Sequence, residues 1–229
     1  MEHQVIRTTN TKQVGTLNNV TEAQMARIRS ACMCAVPSLA IHMVMTDENF
    51  TRFPDPLLWH RLEQVRFWSE ETLDAMVPFE ECTCAGSCER CTLPFLLDVE
   101  CTEESRTVTA ADLQMLRYTC TDHHIVHPDM ELWTMCPGES VRMFGFVVLN
   151  TGDVHNKFNP CATFHFTRSE ESPFSFTYTI RTTGVLRPST LFEKALLARD
   201  QESEPDPYDP DFSGACWLQR NTVAGSFAS

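Results

Sequence analysis

Four cysteines within ten residues are the side chains of this chain that are best suited to chemistry. Cys82 and Cys84 form a C-x-C pair, and Cys88 and Cys91 form a C-x2-C pair after three small or polar residues. Each tight turn of this kind points both of its sulfurs to one side, so two pairs can surround a single tetrahedral ion. The residues between the pairs, 85–87, are permissive for a turn. The spacing predicts one structural zinc ion with these four cysteines as its ligands and no open coordination position.

Other interpretations of the cluster fit the spacing less well. An iron-sulfur cluster of the ferredoxin type has a C-x2-C-x2-C run, which is missing, and a redox centre needs only one pair. Disulfides are disfavoured because the chain starts without the basic and then apolar run of a secretory signal, which indicates a reducing compartment. Unligated thiols stay an alternative. The other seven cysteines are scattered along the chain, and each one taken alone is expected to be a small buried hydrophobic residue. They lie at positions 32, 34, 101, 120, 136, 161 and 216.

Two further features bear on metals and catalysis. Cys120, His123 and His127 could hold a second ion, although histidines in loops are commonly just solvated or hydrogen-bonded. No phosphate-binding loop, dinucleotide fingerprint or nucleophile elbow occurs in the sequence. We therefore expect no catalytic residues and no binding site for an organic cofactor.

Composition limits the classes of partner. The chain has 229 residues, with 18 Lys and Arg against 31 Asp and Glu, so its formal charge of −13 disfavours direct binding of DNA or RNA. Its most apolar segment, residues 31–45, is shorter than the ~18 to 20 residues that a membrane helix needs, so we expect a soluble protein. Residues 201–229 begin with a Pro-rich acidic stretch and are predicted to form a mobile tail.

Periodicity predicts an α+β fold. A helix should begin after Thr21 as N-cap, with Gln24 completing a capping box, and stop at Pro37. A second helix should begin near residue 189, with Glu193 in the capping-box position. Alternating patterns predict strands at residues 93–99, 106–109, 141–149, 161–167 and 174–183. The strands at 141–149, 161–167 and 174–183 should form one antiparallel sheet, with Gly145 as a bulge in the first of them. Residues 110–116 could form a short helix.

The order of several short motifs resembles the third-largest subunit of eukaryotic RNA polymerase II, a relative of its archaeal counterpart and of the bacterial RNA polymerase α N-terminal domain. The resemblance runs from about residue 25 to residue 199. Glu63 stands where that family has Gly, and Phe158 stands where it has Trp. The motifs are the first helix and its "VPSLAI" exit, "LLWHRL" at 57–62, the cysteine cluster with the strand after it, "RTVTAADL" at 106–113, "HNKFNP" at 155–160 and "GVLRP" at 184–188.

The resemblance implies an architecture and a role. A dimerisation domain of antiparallel sheet plus two helices, residues 1–38 and 139–200, would be interrupted by an insert domain, residues 39–138, with its zinc loop at 82–91. The chain would be a non-catalytic assembly subunit of a DNA-directed RNA polymerase, which is a nucleotidyltransferase complex. It would form a heterodimer with a small α-like subunit, support the two largest subunits and contact other small subunits. The nucleus is the implied location, with the cytoplasm or a virion as the alternative if the protein is virus-encoded.

The motifs also suggest two alternatives to this role. One is a zinc-stabilised protein-interaction module unrelated to polymerase, such as a ubiquitin-ligase finger, which normally needs about twice as many ligands. The other is a zinc-bearing lysine methyltransferase, which the C-x-C spacing and Asn159-Pro160-Cys161 weakly suggest. Its cysteines would follow that stretch, whereas here they precede it, and no Gly-x-Gly for a methyl-donor nucleotide is visible.

Overall fold

The fold is α+β, with antiparallel sheets and helices. A computed structural model describes residues 1–70, 73–84, 86–116, 125–170 and 172–201. In chain order its helices and strands are β1 (Glu2–Thr8), β2 (Lys12–Asn18), α1 (Glu22–Cys34), β3 (Ser38–Asn49), α2 (Asp55–Leu62), β4 (Thr92–Glu100), β5 (Arg106–Thr109), β6 (Gln114–Met115), β7 (Glu131–Met135), β8 (Ser140–Asn150), β9 (Cys161–Arg168), β10 (Ser175–Thr182) and α3 (Pro188–Gln201). No helix in these ranges has both the length and the apolar composition needed to cross a bilayer.

The first sheet has the strand order β1-β2-β10-β9, and α1 and α3 pack together on one of its faces. Helix α1 begins as predicted, since the Thr21 side chain accepts from the Gln24 N–H and the Gln24 side chain accepts from the Thr21 N–H. Its buried side chains recur at helical spacing, including Met25 and Ile28. Segments that are distant in the sequence therefore contribute to one core, since β2 ends at Asn18 whereas β9 begins at Cys161 and β10 at Ser175.

Tyr178 lies at the centre of that core. Its ring stacks on Phe192 of α3 at 4.6 Å between centroids and nearly parallel planes. Its hydroxyl accepts from the Gln13 side-chain amide at 2.7 Å and lies 2.7 Å from His3 Nε2. A Cβ at Gly15 would come within 2.8 Å of both the Tyr178 ring and the Gln4 carbonyl, so only glycine fits there. The buried hydroxyl thus joins β1, β2 and β10 beneath α3.

The second sheet has the order β3-β8-β4-β6, and a two-stranded sheet of β5 and β7 lies beside it. One face of the second sheet forms a separate core with α2. The register between β3 and β8 shifts at His42, so the core-facing residues change from Leu39 and Ile41 to Val44. This bulge presses the Met43 carbonyl against Gly145, where there is no room for a Cβ.

Several predicted elements are confirmed and others are wrong. The strands predicted at 93–99, 106–109, 161–167 and 174–183 occur within a residue or two of those bounds. The strand at 141–149 also exists, as β8, but it pairs with β3 and β4 and not with β9 or β10. The helix expected at 110–116 is a single 3-10 turn, Ala110–Asp112, followed by β6. The bulge expected at Gly145 lies on the opposite strand, and α3 begins at Pro188, before the predicted cap.

The sheet pairing bears on the predicted domain boundaries. The sequence places residues 139–200 with the first helix, yet β8 is hydrogen-bonded into the second sheet. A division by sheet would fall after β8, because Val141, Met143, Val147 and Leu149 of β8 are buried in one core with residues of β3 and β4. The division into a dimerisation domain and an insert domain stays a prediction. The tail predicted at 201–229 lies outside the described residues from 202 onwards.

We predict that Tyr178→Phe lowers the free energy of unfolding by about 1–2 kcal/mol, because the buried Gln13 amide then loses its acceptor. Urea denaturation followed by circular dichroism measures this change. Gln13→Met in the Tyr178→Phe background removes the unpaired amide and should recover part of the loss. A double variant less stable than Tyr178→Phe alone would contradict this account.

Candidate functional site

The four cysteines of the predicted zinc loop converge in space. Their sulfurs all lie within 4.8 Å of one another. Three pairs are 3.6 Å apart, namely Cys82 with Cys88, Cys84 with Cys91, and Cys88 with Cys91. Four ligands at about 2.3 Å from one tetrahedral ion would be about 3.8 Å apart, so the observed spacing fits a single ion. A polynuclear cluster would need the sulfurs to stand farther apart.

Backbone hydrogen bonds shape the loop. The N–H groups of Cys91 and Thr92 both donate to the Cys88 carbonyl, at 3.1 and 3.0 Å, which closes a tight turn. The Val77 N–H donates to the Arg90 carbonyl at 2.8 Å and ties the loop to the segment before it. Cys91 is buried and directly precedes β4. The loop is therefore attached without a linker to a central strand of the second sheet.

The thiols differ in their tendency to ionise. A backbone hydrogen bond from Arg90 lowers the pKa of Cys88 to about 6, because the N–H stabilises the thiolate. Burial raises the pKa of Cys91 to about 12. A cation bound among the four sulfurs would favour their thiolate forms, because metal binding releases the thiol protons.

Only one of the three residues of the candidate second ion site is described. Cys120 and His123 lie outside the described residues. His127 is described and exposed, and its carbonyl accepts from the Met130 N–H at 3.1 Å. A second ion at these three residues stays a prediction.

Other motifs meet around the start of β3. The Lys157 ammonium lies 3.0 Å from a Glu63 carboxylate oxygen, and the Lys157 side chain is only 10% exposed. Arg66, whose pKa is lowered by burial, donates to the Lys157 carbonyl. The Ser38 hydroxyl donates to the Phe158 carbonyl at 2.6 Å. The "HNKFNP" and "VPSLAI" segments and the residues that directly follow "LLWHRL", far apart in sequence, thus meet in one structural unit.

Sequence reasoning missed the segment that joins the two cores. The Ser69 N–H donates to the Val185 carbonyl at 2.8 Å, and the Ser69 hydroxyl accepts from the Leu39 N–H at 2.9 Å. Glu70 extends the contact, because its carboxylate lies 3.4 Å from Arg187 Nε and accepts from the Thr190 hydroxyl. No local pattern marks residues 65–70 as important, since their role depends on partners at least 30 residues away.

A comparison with protein families identifies this architecture. Residues 39–162, more than half of the chain, match the family model of the RNA polymerase Rpb3/RpoA insert domain. The chain belongs to this family. The match begins at β3 and ends at the start of β9, so it contains the second sheet, the cysteine loop and the 155–160 turn. Family membership therefore rests on the region between the two halves of the first sheet.

Curated relatives are consistent with the family. The chain is 28% identical over 157 residues to DNA-directed RNA polymerase subunit Rpo3 of Methanosphaera stadtmanae, covering 66% of this chain and 55% of that protein. It is 26% identical over 113 residues to DNA-directed RNA polymerase II subunit rpb3 of Dictyostelium discoideum, covering 49% and 37% respectively. A conjugation stage-specific protein of Tetrahymena thermophila is 33% identical over 114 residues, covering 49% and 36%. The chain thus spans roughly a third to just over half of the length of these relatives.

Proposed function

We propose that this chain is a non-catalytic assembly subunit of a DNA-directed RNA polymerase of the polymerase II type. One observation carries the proposal: the region that matches the insert-domain family is bracketed by two chain segments that fold together as the first sheet, α1 and α3. Such a subunit has a structural task, and catalysis belongs to other subunits of the nucleotidyltransferase complex. The polymerase names of two of the relatives support this role.

The proposed heterodimer partner is a small α-like subunit, and α1 and α3 would contact it. The two helices pack against each other and still leave apolar side chains in solvent. Met33 of α1 is 36% exposed and Leu197 of α3 is 64% exposed. Burying them against an equivalent helix pair would remove apolar surface from water. The heterodimer would then support the two largest subunits and other small subunits.

The proposed ion is one structural Zn²⁺ held by Cys82, Cys84, Cys88 and Cys91. Thiolates are ligands that Zn²⁺ prefers, and four protein ligands leave no position for a reacting water. The ion would cross-link the loop to β4 and supply no chemistry. Under this proposal the insert domain needs the ion to hold its loop in place.

The remaining features fit an assembly role. We propose the nucleus as the location, in line with the polymerase II subunit among the relatives. The charge of −13 disfavours direct, sequence-specific contact with nucleic acid, and we propose no membrane partner. Nothing in the family match supports the lysine methyltransferase or the unrelated interaction module.

We predict that Cys88→Ser lowers the zinc content from about one ion per chain to near zero and loosens the residues around the loop, because a missing thiolate opens the site. Elemental analysis after dialysis measures the zinc, and limited proteolysis measures the loosening. Cys136→Ser is the matched control, since Cys136 lies outside the cluster and its sulfur accepts from Arg52 at 2.9 Å. Retention of full zinc by Cys88→Ser and by the other three single variants would refute the ligand set.

We also predict that Leu197→Asp weakens binding of the small α-like subunit by about tenfold or more, because it places a carboxylate in an apolar contact. Co-expression followed by size-exclusion chromatography and a titration of the purified partner measures the affinity. Leu57→Asp, on the exposed side of α2, is the matched control because Leu57 is 41% exposed and lies outside α1 and α3. Equal effects of the two substitutions, or no binding by the unmodified chain, would count against the heterodimer.

A further inference from the structure

The solvent-facing side of the second sheet is apolar over two successive cross-strand rows. In the first row Met43 pairs with Phe146, which pairs with Pro94. The Leu116 N–H donates to the Pro94 carbonyl at 2.9 Å and extends this row to the edge. In the second row Met45 pairs with Phe144, which pairs with Leu96. We call these seven side chains the apolar face; they are Met43, Met45, Pro94, Leu96, Leu116, Phe144 and Phe146.

Within the part of the chain that the structure describes, no segment covers the apolar face. Met43 is 46% exposed, Phe144 is 39% exposed and Leu116 is 54% exposed, while the other four are half-buried. The next cross-strand row, Ala40 and Val148, is covered, because Phe158 and Phe79 pack over it. An antiparallel sheet with one solvated face normally places polar side chains on it. A contiguous exposed apolar surface of this kind marks a site of contact.

The next row along the same face is charged and mainly acidic. Glu48 pairs with Arg142, and Arg142 pairs with Asp98. Arg142 lies 2.9 Å from Asp98 and 4.0 Å from Asp47, so its single positive charge is shared between carboxylates. Three exposed carboxylates against one guanidinium leave this row net negative, and Glu100 on β4 adds to it.

We propose that the apolar face and its acidic row bind an amphipathic α-helix of a partner polypeptide, with basic residues beside the apolar side of that helix. Helices are the elements that cover sheet faces. The strands β3, β8 and β4 lie about 5 Å apart, so together they are about as wide as one helix. Two methionines on the face suit this mode, since methionine adapts its shape to the partner surface.

Charge favours such a helix over the other occupants. Residues 202–211 of this chain include five Asp or Glu and no Lys or Arg, so the acidic row would repel them. Residues 212–229 contain one Arg as their only charged side chain, whereas several exposed carboxylates of the acidic row favour a partner with several basic residues. A polyanion would be repelled in the same way. A partner with basic residues would meet the excess carboxylates, which lie at one end of the face and thereby set the orientation of the helix.

Photo-cross-linking in the assembled complex tests the proposal. p-Benzoylphenylalanine is placed at position 144 of the full chain in its native cell, and the cross-linked segment is sequenced by mass spectrometry. We expect one partner segment with apolar residues at steps of three and four and a net positive charge. The same probe at position 174 is the control, because Phe174 is 55% exposed but lies before β10 in the first sheet.

Affinity measurements with the identified segment, made as a synthetic peptide, complete the test. Phe144→Ser should weaken its binding by about tenfold or more, and Phe174→Ser should leave it unchanged. Asp98→Lys should also weaken binding and reduce its dependence on salt. Equal urea midpoints would show that the variants remain folded. The proposal is overturned by a cross-link to an acidic segment, to nucleic acid or to this chain itself, and equally by position 144 giving no more product than position 174.

Discussion

The two cores of this molecule depend on one buried serine that joins them. Ser69 hydrogen-bonds to Leu39 at the start of β3 and to Val185 before α3, so a single residue connects the second sheet to the segment that begins the last helix. Its hydroxyl also donates to the Phe67 carbonyl at 2.9 Å. Leu73 extends the connection because it packs against both cores. Ser69 and Leu73 thus contribute contacts between the two cores.

The sequence predicts those elements whose signals are local. The capping box of Thr21 and Gln24, the alternation in β10 and the C-x-C and C-x2-C turns each lie within about ten residues, so no distant partner is needed to interpret them. The four sulfurs converge because the Cys88 turn and the strand that follows are both encoded nearby. The resemblance to polymerase subunits supplies the family, which the match over residues 39–162 confirms.

Sheet membership could not be predicted in the same way. β8 has apolar residues on both faces, including Phe144 and Phe146 on one side and Val141 and Met143 on the other, so alternation does not show which sheet it joins. The bulge at His42 reverses the alternation within β3, so the strand as a whole lacks the period of two that predicts a strand. The β1–β2 hairpin was missed because every residue of β1 is exposed and carries little apolar pattern. The role of Glu63, which stands where the family has Gly, could not be predicted either. It depends on the ion pair with Lys157, 3.0 Å away, which only the fold brings into contact.

The exposed edge of β1 bears on the self-association of this chain. Among the described residues β1 pairs only with β2, and Val5 and Ile6 on it are 45% and 61% exposed. The free edge of a strand with apolar side chains is a template for further strands, and two copies of the chain present the same template to each other. In the proposed polymerase assembly, chains in excess of their partners would present free β1 edges to one another. Synthesis matched to the supply of those partners would limit such self-association.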